Sequence, residues 1–79
     1  MISEDRLLRR PTMLRILISL SEGPKTLSFL SKELGVNKPR LKKYLEELEE
    51  LGFVEAEYNG MKLYKLKRIP ELFNNTRNS

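Results

Sequence analysis

The chain has 79 residues, with fifteen Lys and Arg against eleven Asp and Glu and a net charge of +4, so it is one domain with a small core. It contains no cysteine and no histidine, which excludes a disulfide framework, a soft-metal site and any nucleophilic triad built on imidazole or thiolate. An excess of four bases is too ordinary to name an anionic partner without knowing where the bases sit.

Ser3, Glu4 and Asp5 put a hydroxyl and two acids where a helix begins, with Leu7 and Leu8 behind them. Residues 1–10 therefore read as a short helix or an arm. Pro11-Thr12 opens a stronger helical pattern to about residue 21, proline being suited to a first turn. Leu14, Leu17, Ile18 and Ser21 share one face, and Met13, Ile16 and Leu20 share nearly the opposite one. A helix apolar on two sides is either central to the core or shared with a second copy. Residues 13–20 are the densest apolar run, but Arg15 and Ser19 interrupt it and it is too short to span a bilayer. No basic start followed by an apolar core marks a signal peptide, so a cytoplasmic protein is expected.

Glu22-Gly23-Pro24 ends the first helix, and Lys25-Thr26 reads as an extended link. The second helix covers 27–34, with Leu27, Leu30 and Leu34 as its buried stripe and Phe29 pointing elsewhere. Gly35 turns the chain, and Asn37 is a natural cap for a third helix over 38–51. Leu41, Leu45, Leu48 and Leu51 form that helix's apolar face. After Gly52 the period becomes strand-like on either side of Asn59-Gly60. This pair suits a two-residue type I′ turn, which sets Tyr58 opposite Met61, Glu57 opposite Lys62 and Ala56 opposite Leu63. Residues 11–69 thus make the domain, and 70–79 a short helical turn and a polar tail.

Three helices, a tight turn before the third and a closing hairpin resemble a winged helix-turn-helix, an α+β fold that is mostly α. The stretch Pro11-Thr12-Met13-Leu14-Arg15-Ile16-Leu17 resembles the helix-opening segment of ArsR-type regulators. The run from Lys25 through Leu34-Gly35-Val36 is similar to that family's second helix, and Leu45 through Leu51-Gly52-Phe53-Val54 to its third-helix exit. MarR-like proteins share these features. The resemblance implies a small transcriptional regulator that binds double-stranded DNA with helix three in the major groove and the wing beside it. It also implies a departure: metal-sensing members bind effectors through cysteine and histidine, so no thiolate-bound metal effector is expected here. No cofactor, no catalytic residue and no membrane partner is expected either.

The third helix offers its own test. Lys38, Arg40, Lys42 and Lys43 fill its N-terminal half, and Glu46, Glu47, Glu49 and Glu50 its C-terminal half. The helix dipole favours the reverse order by roughly 0.3–1 kcal/mol per exposed charge. A solvated face does not need that polarity, whereas a groove-facing N-terminus explains it. Arg40 is the best candidate for base readout, because a guanidinium specifies more than an ammonium. Lys38, Pro39, Lys42 and Lys43 complete the DNA-facing set.

Ser28, with Thr26, sits where hydroxyls meet a phosphate or simply cap helix two; Asn37 is either a cap or a contact. At the wing tip the candidates are Tyr58, Asn59, Gly60 and Lys62. For a homodimer, the second face of helix one (Met13, Ile16, Leu20) with Ile2, Leu7 and Leu8 is the expected interface. The competing reading is a winged-helix protein-interaction module in a replication, transcription or sorting complex, using Phe29 and the acidic run from Glu46 to Glu50.

Overall fold

The computed structural model describes residues 10–69. Helix α1 spans Pro11–Leu20, α2 Leu27–Leu34 and α3 Lys38–Glu50; strands β1 Val54–Tyr58 and β2 Lys62–Leu66 form an antiparallel hairpin. Among the described residues no helix is long and apolar enough to cross a membrane.

Local chemistry sets the helix ends. Pro11 occupies the first turn of α1. Thr26 Oγ1 accepts from the Phe29 amide at 3.1 Å, and Asn37 Oδ1 accepts from the Arg40 amide at 2.9 Å, so α2 and α3 each start on a side-chain cap. Between them Gly35 takes φ 68°, a left-handed conformation that lets its own N–H return to Ser31 O at 2.9 Å. Ser31 Oγ adds a 2.6 Å bond to Val36 O and fixes the tight turn.

The core gathers Met13, Ile16, Leu17 and Leu20 of α1, Leu30 and Leu34 of α2, and Leu41, Leu45 and Leu48 of α3 with Phe53, Val54 and Tyr64. This corrects the expected dimer face. Met13 and Ile16 are fully buried and Leu20 is 2% exposed, so all three belong to the monomer's own core. Of the two possibilities for a helix apolar on both sides, α1 takes the central one. Ile18, from the face expected to point inward, is instead 57% exposed. Ile2, Leu7 and Leu8 lie outside the described residues, as do the expected arm over 1–9 and the tail over 70–79.

The hairpin register also differs, by one residue. Tyr58 pairs with Lys62, Glu57 with Leu63, Ala56 with Tyr64, Glu55 with Lys65 and Val54 with Leu66. Residues 59–61 make the loop, in which Gly60 takes φ 82° and Asn59 has no positive φ, so a type I′ turn does not form. Burial decides the register. The expected pairing would set the core residue Val54 opposite Lys65. The observed one aligns Val54 and Ala56 with Leu66 and Tyr64, and leaves Glu55 and Lys65 to face each other.

Ser19, on α1, is the one buried polar residue among the described residues, and its hydroxyl both donates and accepts. Ser19 Oγ donates to Glu33 Oε1 at 2.6 Å and accepts from Lys25 Nζ at 2.7 Å; the same ammonium reaches Glu22 at 3.0 Å and Glu33 at 3.3 Å. The Ser19 bond pulls the Glu33 carboxyl below its usual pKa; partial burial works against this, and the Lys25 bond and charge add to the lowering. Partial burial pulls Lys25 down, but its bonds to Glu22 and Glu33 together with their charges outweigh it, and its pKa is raised.

A lowered carboxyl pKa contributes stability that is present above the unfolded value and lost as pH falls through the folded one. Glu33→Gln is therefore expected to lower the urea midpoint near neutral pH. The gap to the unsubstituted chain should begin to close as pH drops below about 4, the ordinary carboxylate range, and should vanish only below the lowered folded value, where the carboxyl is protonated in both states. A gap that stays constant across this range would show that the carboxylate charge contributes nothing.

Candidate nucleic-acid interface

Helix α3 is a two-faced element whose sides do different work. Leu41, Leu45 and Leu48 are fully buried, which fixes the helix's rotation about its axis. That rotation turns Lys38, Pro39, Arg40, Lys42, Lys43 and Glu46 outward, where all are exposed. Among the described residues no ion pair engages Lys38, Lys42 or Lys43. Lys42 and Glu46, and Lys43 and Glu47, stand four positions apart on one helix face, yet neither pair forms a salt bridge. The first turn of α3 holds no acid and the last turn no base, so the charges oppose the helix dipole as its sequence implies.

Of the acidic half, Glu47 is the residue that finds a basic partner among the described residues. Glu47 approaches Arg10 at 3.6 Å, which leaves its buried Oε2 without a hydrogen bond. Arg40 lies along its own helix: its Nε donates to Tyr44 Oη at 3.1 Å, and its guanidinium carbon stands 5.6 Å from the Tyr44 ring centroid. This contact uses Nε, and the planar fork of the terminal nitrogens is not part of it. Tyr44 itself is half-buried against the core with its hydroxyl at the rim.

Ser28, Ser31, Lys32 and Lys38 line a hollow with Phe29 between α2 and the start of α3. Ser28 is exposed there and is not the cap of α2, that part being taken by Thr26. Asn37 is committed to capping α3. Lys32 was not among the residues expected at this surface. The available signal was its spacing of four from Ser28, which puts both on one helix face.

The wing carries little free positive charge. Lys65 approaches Glu57 at 3.5 Å and Glu55 at 3.8 Å. Lys62 is half-buried, its ammonium 5.1 Å from the Tyr64 ring centroid and 5.7 Å from that of Tyr58. The Tyr64 and Tyr58 phenols beside it raise its pKa. Tyr58, Asn59 and Gly60 do form the tip, together with Met61; Tyr58 is 73% and Met61 58% exposed. Thus α3 and its hollow offer cations to solvent, while the hairpin tip offers an aromatic ring and a thioether.

A family model described as "Bacterial regulatory protein, arsR family" matches residues 10–56. Among solved structures the chain is similar to the transcriptional repressor BigR from Xylella fastidiosa, at 28% identity and TM-score 0.79, over 92% of this chain and 75% of that one. It is similar to M. tuberculosis Rv0081 at 27% identity and TM-score 0.81, over 92% and 77% of the two chains. It shares the fold of the homodimeric winged helix-turn-helix DNA-binding domain of Mb0332 from Mycobacterium bovis, at 24% identity and TM-score 0.80, over 92% and 70%. No curated protein sequence matches it.

Proposed function

The chain belongs to the arsR family of bacterial regulatory proteins, and from that premise we propose that it binds double-stranded DNA sequence-specifically as a homodimeric transcriptional regulator. In this reading the N-terminal half of α3 enters the major groove. One observation carries it: four exposed bases occupy the helix end where the dipole disfavours them, and none of the four has an acid partner among the described residues. Phosphates and base edges supply the missing anionic and acceptor groups. Lys42 and Lys43 neutralise phosphates, and Arg40 reads a base edge with its terminal nitrogens. Lys38, Ser28 and Lys32 flank the α2–α3 hollow as backbone contacts, with Pro39 shaping the first turn between them.

The homodimer is supported by the assembly named for the M. bovis domain and by the exposed Ile18 on α1, an apolar side chain without a place in the core. Metal sensing through thiolates is not part of the proposal, since the sequence has no cysteine. Selection of bound sequences from random duplex DNA tests it. The expected product is a symmetric site with half-sites about one helical turn apart. Recovery of no enriched sequence, with retention on duplex no stronger than that of an acidic protein, would favour a protein-interaction module.

A further inference from the structure

We propose that Lys25 is the positioning residue of the wing: its ammonium locks residue 25 against β2 and thereby fixes the hairpin relative to α3. A hairpin of two five-residue strands is marginal by itself and needs a further partner. At its base the Lys67 amide closes the hairpin on Phe53 O at 2.7 Å, and the side chains of Phe53, Val54 and Tyr64 seat it in the core. Along β2, one residue from outside the hairpin bonds its backbone. The Lys25 amide donates to Tyr64 O at 2.9 Å and the Tyr64 amide to Lys25 O at 2.8 Å, the mutual pair of an antiparallel ladder. Residue 25 is thus a one-residue third strand, with Pro24 before it and the α2 cap Thr26 after it.

So short a strand has no ladder of its own to keep it in place. The side chain supplies the anchorage. An ammonium has three protons, and this one meets three acceptors from three places: Ser19 on α1, Glu22 after it, and Glu33 on α2. The side chain is only 13% exposed, and its Nζ also stands 5.2 Å from the Phe29 ring centroid. Lys25 therefore joins both helices that support α3 to the middle of β2. Loss of the ammonium releases residue 25 from the Tyr64 backbone, so that β2 and the wing tip loosen while the helical core stays intact. The consequence for DNA rests on the DNA-binding reading proposed above; the mechanical statement does not.

The experiment has two arms, on the full chain. In the first, amide hydrogen exchange compares Tyr64, whose N–H bonds Lys25, with Leu45 in the core face of α3. Lys25→Met keeps the apolar stem and should speed Tyr64 exchange about tenfold with Leu45 unchanged, because a sub-global opening exposes one amide and not the other. Lys25→Arg should restore the protection. Glu33→Ala, which removes one acceptor, should move Tyr64 in the same direction by less, and it decides the matter if Lys25→Met does not fold. Unchanged Tyr64 protection, or equal acceleration at Tyr64 and Leu45, overturns the proposal. In the second arm, Tyr58→Ala is combined with Lys25→Met and affinity for duplex DNA is measured. Tyr58→Ala should weaken binding in the unsubstituted chain and weaken it less once the wing is loose. Equal effects in both backgrounds, or none in either, overturn the link to DNA. A chain that binds no duplex at all defeats the functional reading, and the exchange arm still decides the positioning role.

Discussion

Replacing Lys42 and Lys43 together by alanine should weaken binding to every duplex tested, by roughly 30-fold for each protomer bound at about 0.15 M salt. Both side chains are exposed and neither has an acid partner among the described residues, so their charge is available to an external anion. Each phosphate they neutralise releases a counterion and contributes about 0.9 to the slope of log affinity against log salt. Two such contacts in each protomer account for about 1.8 units of slope per protomer, and at 0.15 M salt for the stated loss. Stability should stay within about 0.5 kcal/mol, since surface changes away from caps and core rarely exceed that. The pair of results separates function from folding. Affinity and slope left unaltered would remove α3 from the groove, whatever the family implies.

The opposite face of the same helix should behave in the opposite way. Leu45 is fully buried midway along α3, among Leu41, Leu48 and the other core residues. Leu45→Ala removes buried methyl groups and leaves a cavity, at a cost of about 2–5 kcal/mol. A chain of this size has on the order of 4–12 kcal/mol in total. Urea unfolding followed by circular dichroism should therefore show a sharp fall in midpoint, and a substantial unfolded fraction in water if the total lies at the low end. An unchanged midpoint would mean that the leucine face of α3 is not the core, and the outward direction assigned to Lys42 and Lys43 would fall with it.

The helices were legible because their signals are local. Asn37 is followed by a basic first turn and a leucine stripe, Gly35 punctuates the turn, and the structure starts α3 at Lys38 on an Asn37 cap. The hairpin was legible as a hairpin but not in register. Asn59-Gly60 is a local preference, whereas the register is settled by which residues of β2 meet Val54 and Ala56 across the sheet, a tertiary matter. Helix α1 shows the same boundary from another side. Apolar groups on two faces say that both are covered, and only packing reveals that Met13, Ile16 and Leu20 are covered by this chain itself.

At the candidate interface the exposed bases of α3 were readable from helical spacing alone. The state of Lys62 was not. Its position beside the Tyr58 and Tyr64 rings depends on the one-residue register shift, which sets Lys62 directly opposite Tyr58. Lys25 was readable only as part of an extended link, because its three acceptors lie up to eight positions away along the chain.

On the proposed reading, the polarity of α3, bases first and acids last, serves DNA at some cost to the helix. Titrating duplex DNA with the unsubstituted chain over a series of salt concentrations tests it most directly. Four exposed bases meeting phosphates and base edges predict a slope of log affinity against log salt of about −3 or steeper. A slope near zero, or no binding at low salt, would contradict it.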